Sequence, residues 1–151
     1  MGPGPASLWP RPRVGKEGFR MLIAVPLMIV PFIFYNAVML GSGIAAFSGV
    51  IMTVPMLSGA FWTMTLGDLV TLSALIALFF EVLKATLSNR GSLMNHMLSM
   101  LVFIAFLVEF LLVRDAATQL FFSLMVIAFI DVVAGFTISN RAAGRDVSIG
   151  L

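Results

Sequence analysis

Residues 117–139, ATQLFFSLMVIAFIDVVAGFTIS, hold a single charge, Asp131, in an otherwise apolar or weakly polar run. At 1.5 Å per residue such a run reaches across a hydrocarbon layer of about 30 Å, so it reads as a membrane-spanning helix. Working back along the chain, comparable runs predict spans at about 95–113, 66–85 and 21–40. Arg114-Asp115 makes a tight connection before the last span, and SNRGS (Ser88 to Ser92) turns the chain between the second and third. Short connections force these three spans into an antiparallel arrangement. With the first span they give the expected fold: an all-α integral membrane protein built as an antiparallel four-helix bundle over residues 21–139.

The composition agrees. Of 151 residues, 60% are apolar and 11% charged, with a mean hydropathy of +1.08. Soluble domains average about 45–50% apolar and about 25% charged. So little charge cannot cover a water-soluble globule, which excludes a soluble enzyme. The chain has no cysteine, which removes disulfides, thiolate metal sites and cysteine nucleophiles. His96 is the single histidine, so neither a haem held between two histidines nor a two-histidine zinc site can form. The formal charge of +2 comes from basic residues scattered at helix ends, not clustered on one face, so nucleic acid is not an expected partner. No phosphate loop, nucleophile elbow or HExxH is present, and no cofactor is expected.

The remaining segments read as follows. Residues 1–20, MGPGPASLWPRPRVGKEGFR, form a basic, Pro- and Gly-rich tail predicted to be disordered, and residues 140–151 a short polar C-terminal tail. Pro26 and Pro31 predict a kinked first span. A basic stretch ahead of an apolar run is also the pattern of a signal peptide, with GSGIAAF as its cleavage region; the length of the run favours a retained anchor. Residues 41–64 are apolar but broken by Gly41, Gly43, Gly49, Pro55 and Gly59. They read as an interfacial or re-entrant segment with Trp62 at headgroup level.

Charge chooses the number of crossings. With four spans, Arg11, Arg13, Lys16, Arg20, Lys84, Arg90, Arg141 and Arg145 share one side, and only Arg114 faces the other. By the positive-inside rule both termini are then cytoplasmic. A fifth span within 44–62 would put the C-terminal arginines opposite the N-terminal ones. The expected location is a multi-pass position in a membrane of the bacterial inner-membrane kind.

Four carboxylates lie in or beside the spans, where a central charge costs about 2.5–3.5 kcal/mol and so calls for a partner, a proton or water. Thr65-Leu66-Gly67-Asp68 fits a capping box opening the second span. Glu81 shares a helical stripe with Ala74, Ala77, Ala85 and Ser88, a small-residue face that points it into the bundle, with Lys84 placed to pair with it or to snorkel outward. Asp131 lies about 4–5 Å from the middle of its span, beside Ala128, Ala134 and Gly135. Glu81 and Asp131 therefore form a predicted inner acidic layer with Lys84, which can serve as a proton or cation path or as a clamp fixing helix register. Glu109, expected to pair with Arg114 or to lie wet in the interface, joins Asp68 in an outer layer.

Met94, His96, Met97 and Met100 combine soft sulfur with imidazole, the donor set that suits Cu(I). Against this, the chain's 11 methionines are widely spread, and methionine fills apolar gaps without any metal. Three functions remain. The favoured one is a non-catalytic accessory or assembly subunit, its partners the bilayer and other membrane subunits or further copies of itself. The alternative is a small oligomeric proton- or cation-coupled transporter or channel using Glu81 and Asp131. A membrane enzyme has the weakest case, because no nucleophile–base pair is visible.

Overall fold

The computed structural model describes residues 25–87 and 92–147. The predicted N-terminal tail, residues 21–24 of the first span, most of the SNRGS turn and residues 148–151 lie outside them. Four α-helices follow one another: α1 (Ile29–Gly41), α2 (Leu66–Leu87), α3 (Ser92–Leu112) and α4 (Gln119–Val147). Between α1 and α2 come a short 3-10 turn, Ile44–Ser48, and two strands, β1 (Val50–Pro55) and β2 (Phe61–Thr65). The helix α4 packs against both α2 and α3, and α1 leans on α2 and α4.

Two helical segments, Leu66–Thr86 and Gln119–Ser139, are long and apolar enough to cross a membrane. Only 28% of each is buried inside the fold. The core helix of a soluble protein is mostly buried; these turn Leu72, Ile76, Phe79 and Phe80 on α2, and Phe129, Ile130, Val133 and Phe136 on α4, outward. Ile29–Gly41 and His96–Leu112 are shorter apolar helices.

The first expected span needs correction. Residues 25–28 form a bend and turn, and the helix begins only at Ile29. Pro26 is the reason: its carbonyl accepts the Ile29 N–H at 3.2 Å in a turn that precedes the helix. Pro31 occupies the first helical turn, where its missing N–H has no intrahelical acceptor anyway. Thirteen residues rise about 20 Å, less than a hydrocarbon thickness.

The interrupted segment is the departure from an all-α fold. Its β-branched and aromatic residues pair antiparallel, Thr53 opposite Thr63 and Val54 opposite Trp62. The strands are joined through Leu57-Ser58-Gly59, closed by bonds from Met56 N–H to the Ala60 carbonyl (2.8 Å) and from Gly59 N–H to the Met56 carbonyl (2.9 Å). Gly59 takes φ +84°, the left-handed position such a three-residue loop requires. At the other end of the chain, α4 continues through Val147, so residues 140–147 extend a helix where a polar tail was expected.

An aromatic core joins the helices at the hairpin end. Tyr35 stacks on Phe47 at 4.6 Å and meets Phe121 at 4.7 Å, while Phe32 meets Phe106 edge-on at 4.7 Å. The Tyr35 hydroxyl donates to the Asp115 carbonyl (3.2 Å) and shares a 2.8 Å bond with the Thr118 hydroxyl. Thr118 in turn accepts the Phe121 N–H at 3.1 Å, capping the start of α4. One buried side chain of α1 thus holds the helix that organises the others. Gly67 lets the 3-10 turn approach closely: a Cβ there would come within 3.3 Å of the Phe47 carbonyl oxygen.

Candidate functional site

Helix geometry brings the inner layer together. From the hairpin end, Glu81 lies fifteen residues into α2, Asp131 twelve into α4 and Ser99 thirteen back from the end of α3. At 1.5 Å per residue these are comparable depths, about 18–22 Å. All three are buried, Glu81 at 2% and Asp131 at 4% exposure. Asp131 accepts a hydrogen bond from the Ser99 side chain and lies within electrostatic range of both Glu81 and Lys84.

Glu81 is engaged on two sides. Its Oε1 pairs with Lys84 Nζ at 2.8 Å, one helical turn away. Its Oε2 accepts the Leu27 backbone N–H at 3.1 Å, across 54 residues of chain. Lys84 Nζ also donates to the Val25 carbonyl at 3.3 Å. The turn that opens α1 is therefore received by α2: the carboxylate takes a donor that has no helical acceptor, and the ammonium takes an adjacent carbonyl. Met28, at the N-cap of α1, makes no capping bond through its own side chain. Glu81 serves that helix start from a neighbouring element.

The outer residues divide. Asp68 and Thr65 form a reciprocal capping box: Asp68 Oδ2 accepts the Thr65 N–H at 2.9 Å and its hydroxyl at 2.7 Å, and the Asp68 N–H donates to Thr65 Oγ1 at 3.2 Å. Glu109 turns away from Arg114. Its Oε2 accepts from Asn36 Nδ2 at 3.0 Å, tying α3 to α1, and its Oε1 is buried with no hydrogen-bond partner. The expected Glu109–Arg114 pair is absent among the described residues, where the one ion pair is Glu81–Lys84. Arg114 instead lies exposed in the 3-10 turn Arg114–Ala116.

The thioether–imidazole set is dispersed. Met97 and Met100 are about half exposed on the outside of α3. His96 faces α4, its ring 5.7 Å from Phe136 and its Nδ1 buried without a partner against Gly135. The side chain of Met94 lies outside the described residues.

Sequence reasoning missed Ser99, Asn36 and Tyr35. Each is a polar side chain in an apolar stretch, Tyr35 and Asn36 side by side, a signal of the same kind as the carboxylates but weaker per residue. The backbone groups of Val25 and Leu27 carry no sequence signal. Between the two acidic levels the interior is filled by Val70, Ala74, Phe106, Phe121, Leu124 and Ala128, all buried. Chemically, the inner layer can neutralise and hold charge, and it can fix helices against one another. Comparison with protein-family models, with curated proteins and with solved structures finds no match to this chain.

Proposed function

We propose that the chain is a small multi-pass membrane protein without catalytic activity, acting as an accessory or assembly subunit of a larger membrane complex. Both termini are then cytoplasmic, as the basic residues favour. One observation carries the reading: the intramembrane carboxylates are spent on holding the helices together. Glu81 binds Lys84 and the start of α1, Asp131 binds Ser99, and Glu109 binds Asn36. Buried polar groups of this kind act as interhelical glue. Around them the fold offers an apolar exterior and short connections, the surface of a protein whose neighbours are lipid and other helices. Purification from native membranes in mild detergent tests it. A larger partner recovered at fixed stoichiometry is expected, and a clean monomer overturns the proposal.

The proximity of Glu81 and Asp131 favours a second reading, an oligomeric proton- or cation-coupled transporter or channel. The packed apolar and aromatic core between the inner and outer levels argues against a path inside one chain. Ion flux into proteoliposomes that is abolished by Asp131→Asn, with the fold intact, decides for it.

A further inference from the structure

Among the described residues, the hairpin carries exposed apolar side chains on both faces and at its tip. No charged residue occurs from Met21 to Gly67. Cross-strand pairing puts Thr53, Thr63, Pro55 and Phe61 on one face, and Met52, Val54, Trp62 and Met64 on the other, with Ile51 at a register irregularity between Val50 and Met52. Phe61 is exposed on the first face, Met52 and Trp62 on the second and Ile51 at the irregularity, and Leu57 is fully exposed at the tip. A two-stranded ribbon of this kind is marginal in water unless something covers it.

We propose that the hairpin is a membrane-interface anchor, lying in the phospholipid headgroup and glycerol layer with Leu57 at its immersed tip. The inference rests on the membrane reading above and names what that segment contacts. A protein partner seated on one face leaves the other apolar face and the tip uncovered; a fluid amphiphilic layer covers all three. The depth follows from the backbone. The sheet has two strands and therefore two open edges, whose outward N–H and carbonyl groups need water or headgroup oxygens. Hydrocarbon supplies neither, which excludes the re-entrant alternative and holds the hairpin at the surface layer. Trp62, with an apolar ring and one N–H donor, suits that layer. Continuity supports the assignment: β2 ends at Thr65 and α2 starts at Leu66, with the exposed Leu69 and Leu72 of α2 next along the chain. Because the hairpin is uncharged, zwitterionic lipid suffices and added salt leaves the contact unchanged.

The absence of cysteine makes the test direct. Leu57→Cys, Phe61→Cys and, on the exterior of α2, Leu75→Cys are each labelled with a fluorophore in phosphatidylcholine vesicles. Quenching is then measured with aqueous iodide and with lipids carrying a nitroxide near the headgroup or near the chain end. The expected result is loss of emission at positions 57 and 61 with the shallow nitroxide, and at 75 with the deep one, with iodide weak at all three. Iodide quenching at 57 with deep quenching at 75 overturns the anchor and leaves the membrane reading standing. Deep quenching at 57 overturns it in favour of a re-entrant hairpin. Protection at 57 from iodide and from both lipids overturns it in favour of a protein cover, a second copy or another subunit. Iodide quenching at 75 removes the membrane reading itself.

Discussion

Removing the Glu81 carboxylate deprives two donors at once, leaving the Leu27 N–H without its acceptor and the Lys84 ammonium with the Val25 carbonyl alone. Breaking a buried ion pair from one side costs about 3–5 kcal/mol, so Glu81→Ala is expected to lower stability by that order. Glu81→Gln retains an oxygen for the Leu27 N–H and should lose less. Unfolding in mild detergent compares the two, and equal losses would show that the bond to α1 contributes nothing. His96 and Gly135 give a second residue-scale test. A Cβ at position 135 comes within 3.2 Å of His96 Nδ1, so Gly135→Ala requires the imidazole to shift by a few tenths of an ångström, a loss set against the gain of about 1 kcal/mol in helix propensity. In a double-mutant cycle His96→Ala should recover much of that loss, and strict additivity would refute the contact. The acidic positions themselves were legible in the sequence, since a charge in an apolar run stands out. What each binds was less so: the Glu81–Lys84 pair follows from helical spacing, whereas Ser99, Asn36 and the Leu27 N–H become visible only once helices from distant parts of the chain are side by side.

At the scale of elements, the junction between β2 and α2 depends on four residues. Thr65→Ala removes the hydroxyl that accepts the Asp68 N–H and donates to Asp68 Oδ2, and a lost cap of this kind costs about 0.5–2 kcal/mol. Thermal unfolding of Thr65→Ala, Asp68→Ala and the double variant should be far from additive, because each single change already breaks the reciprocal pair. This junction was readable from four consecutive letters, since a capping box is local. The hairpin ahead of it was not recognised. Its glycines and proline read as interruptions of an apolar run, whereas Gly59 in fact supplies the positive φ of a loop joining two strands. Pro26 misled in the opposite way. It reads as a kink within a long first span and instead precedes a helix that starts three residues later.

Taken whole, the molecule is a central α4 flanked by α2 and α3, with a short α1 and the hairpin attached at one end. A topology with both termini on one side predicts opposite signals from reporter fusions after Ser58 and after Leu151, the former external and the latter cytoplasmic; matching signals would reject it. The attachment of α1 also dictates an order of events during synthesis. Its first turn is received by Glu81, 54 residues downstream of Leu27, and its Tyr35 by Thr118, 83 residues downstream. At a translation rate of about 5–20 residues per second, the second of these partners is made roughly 4–17 s after Tyr35 itself. The first helix is thus born early and docked late. Until then it lacks the partners that fix its position, and a ribosome that stalls before position 118 leaves it without its anchor on α4.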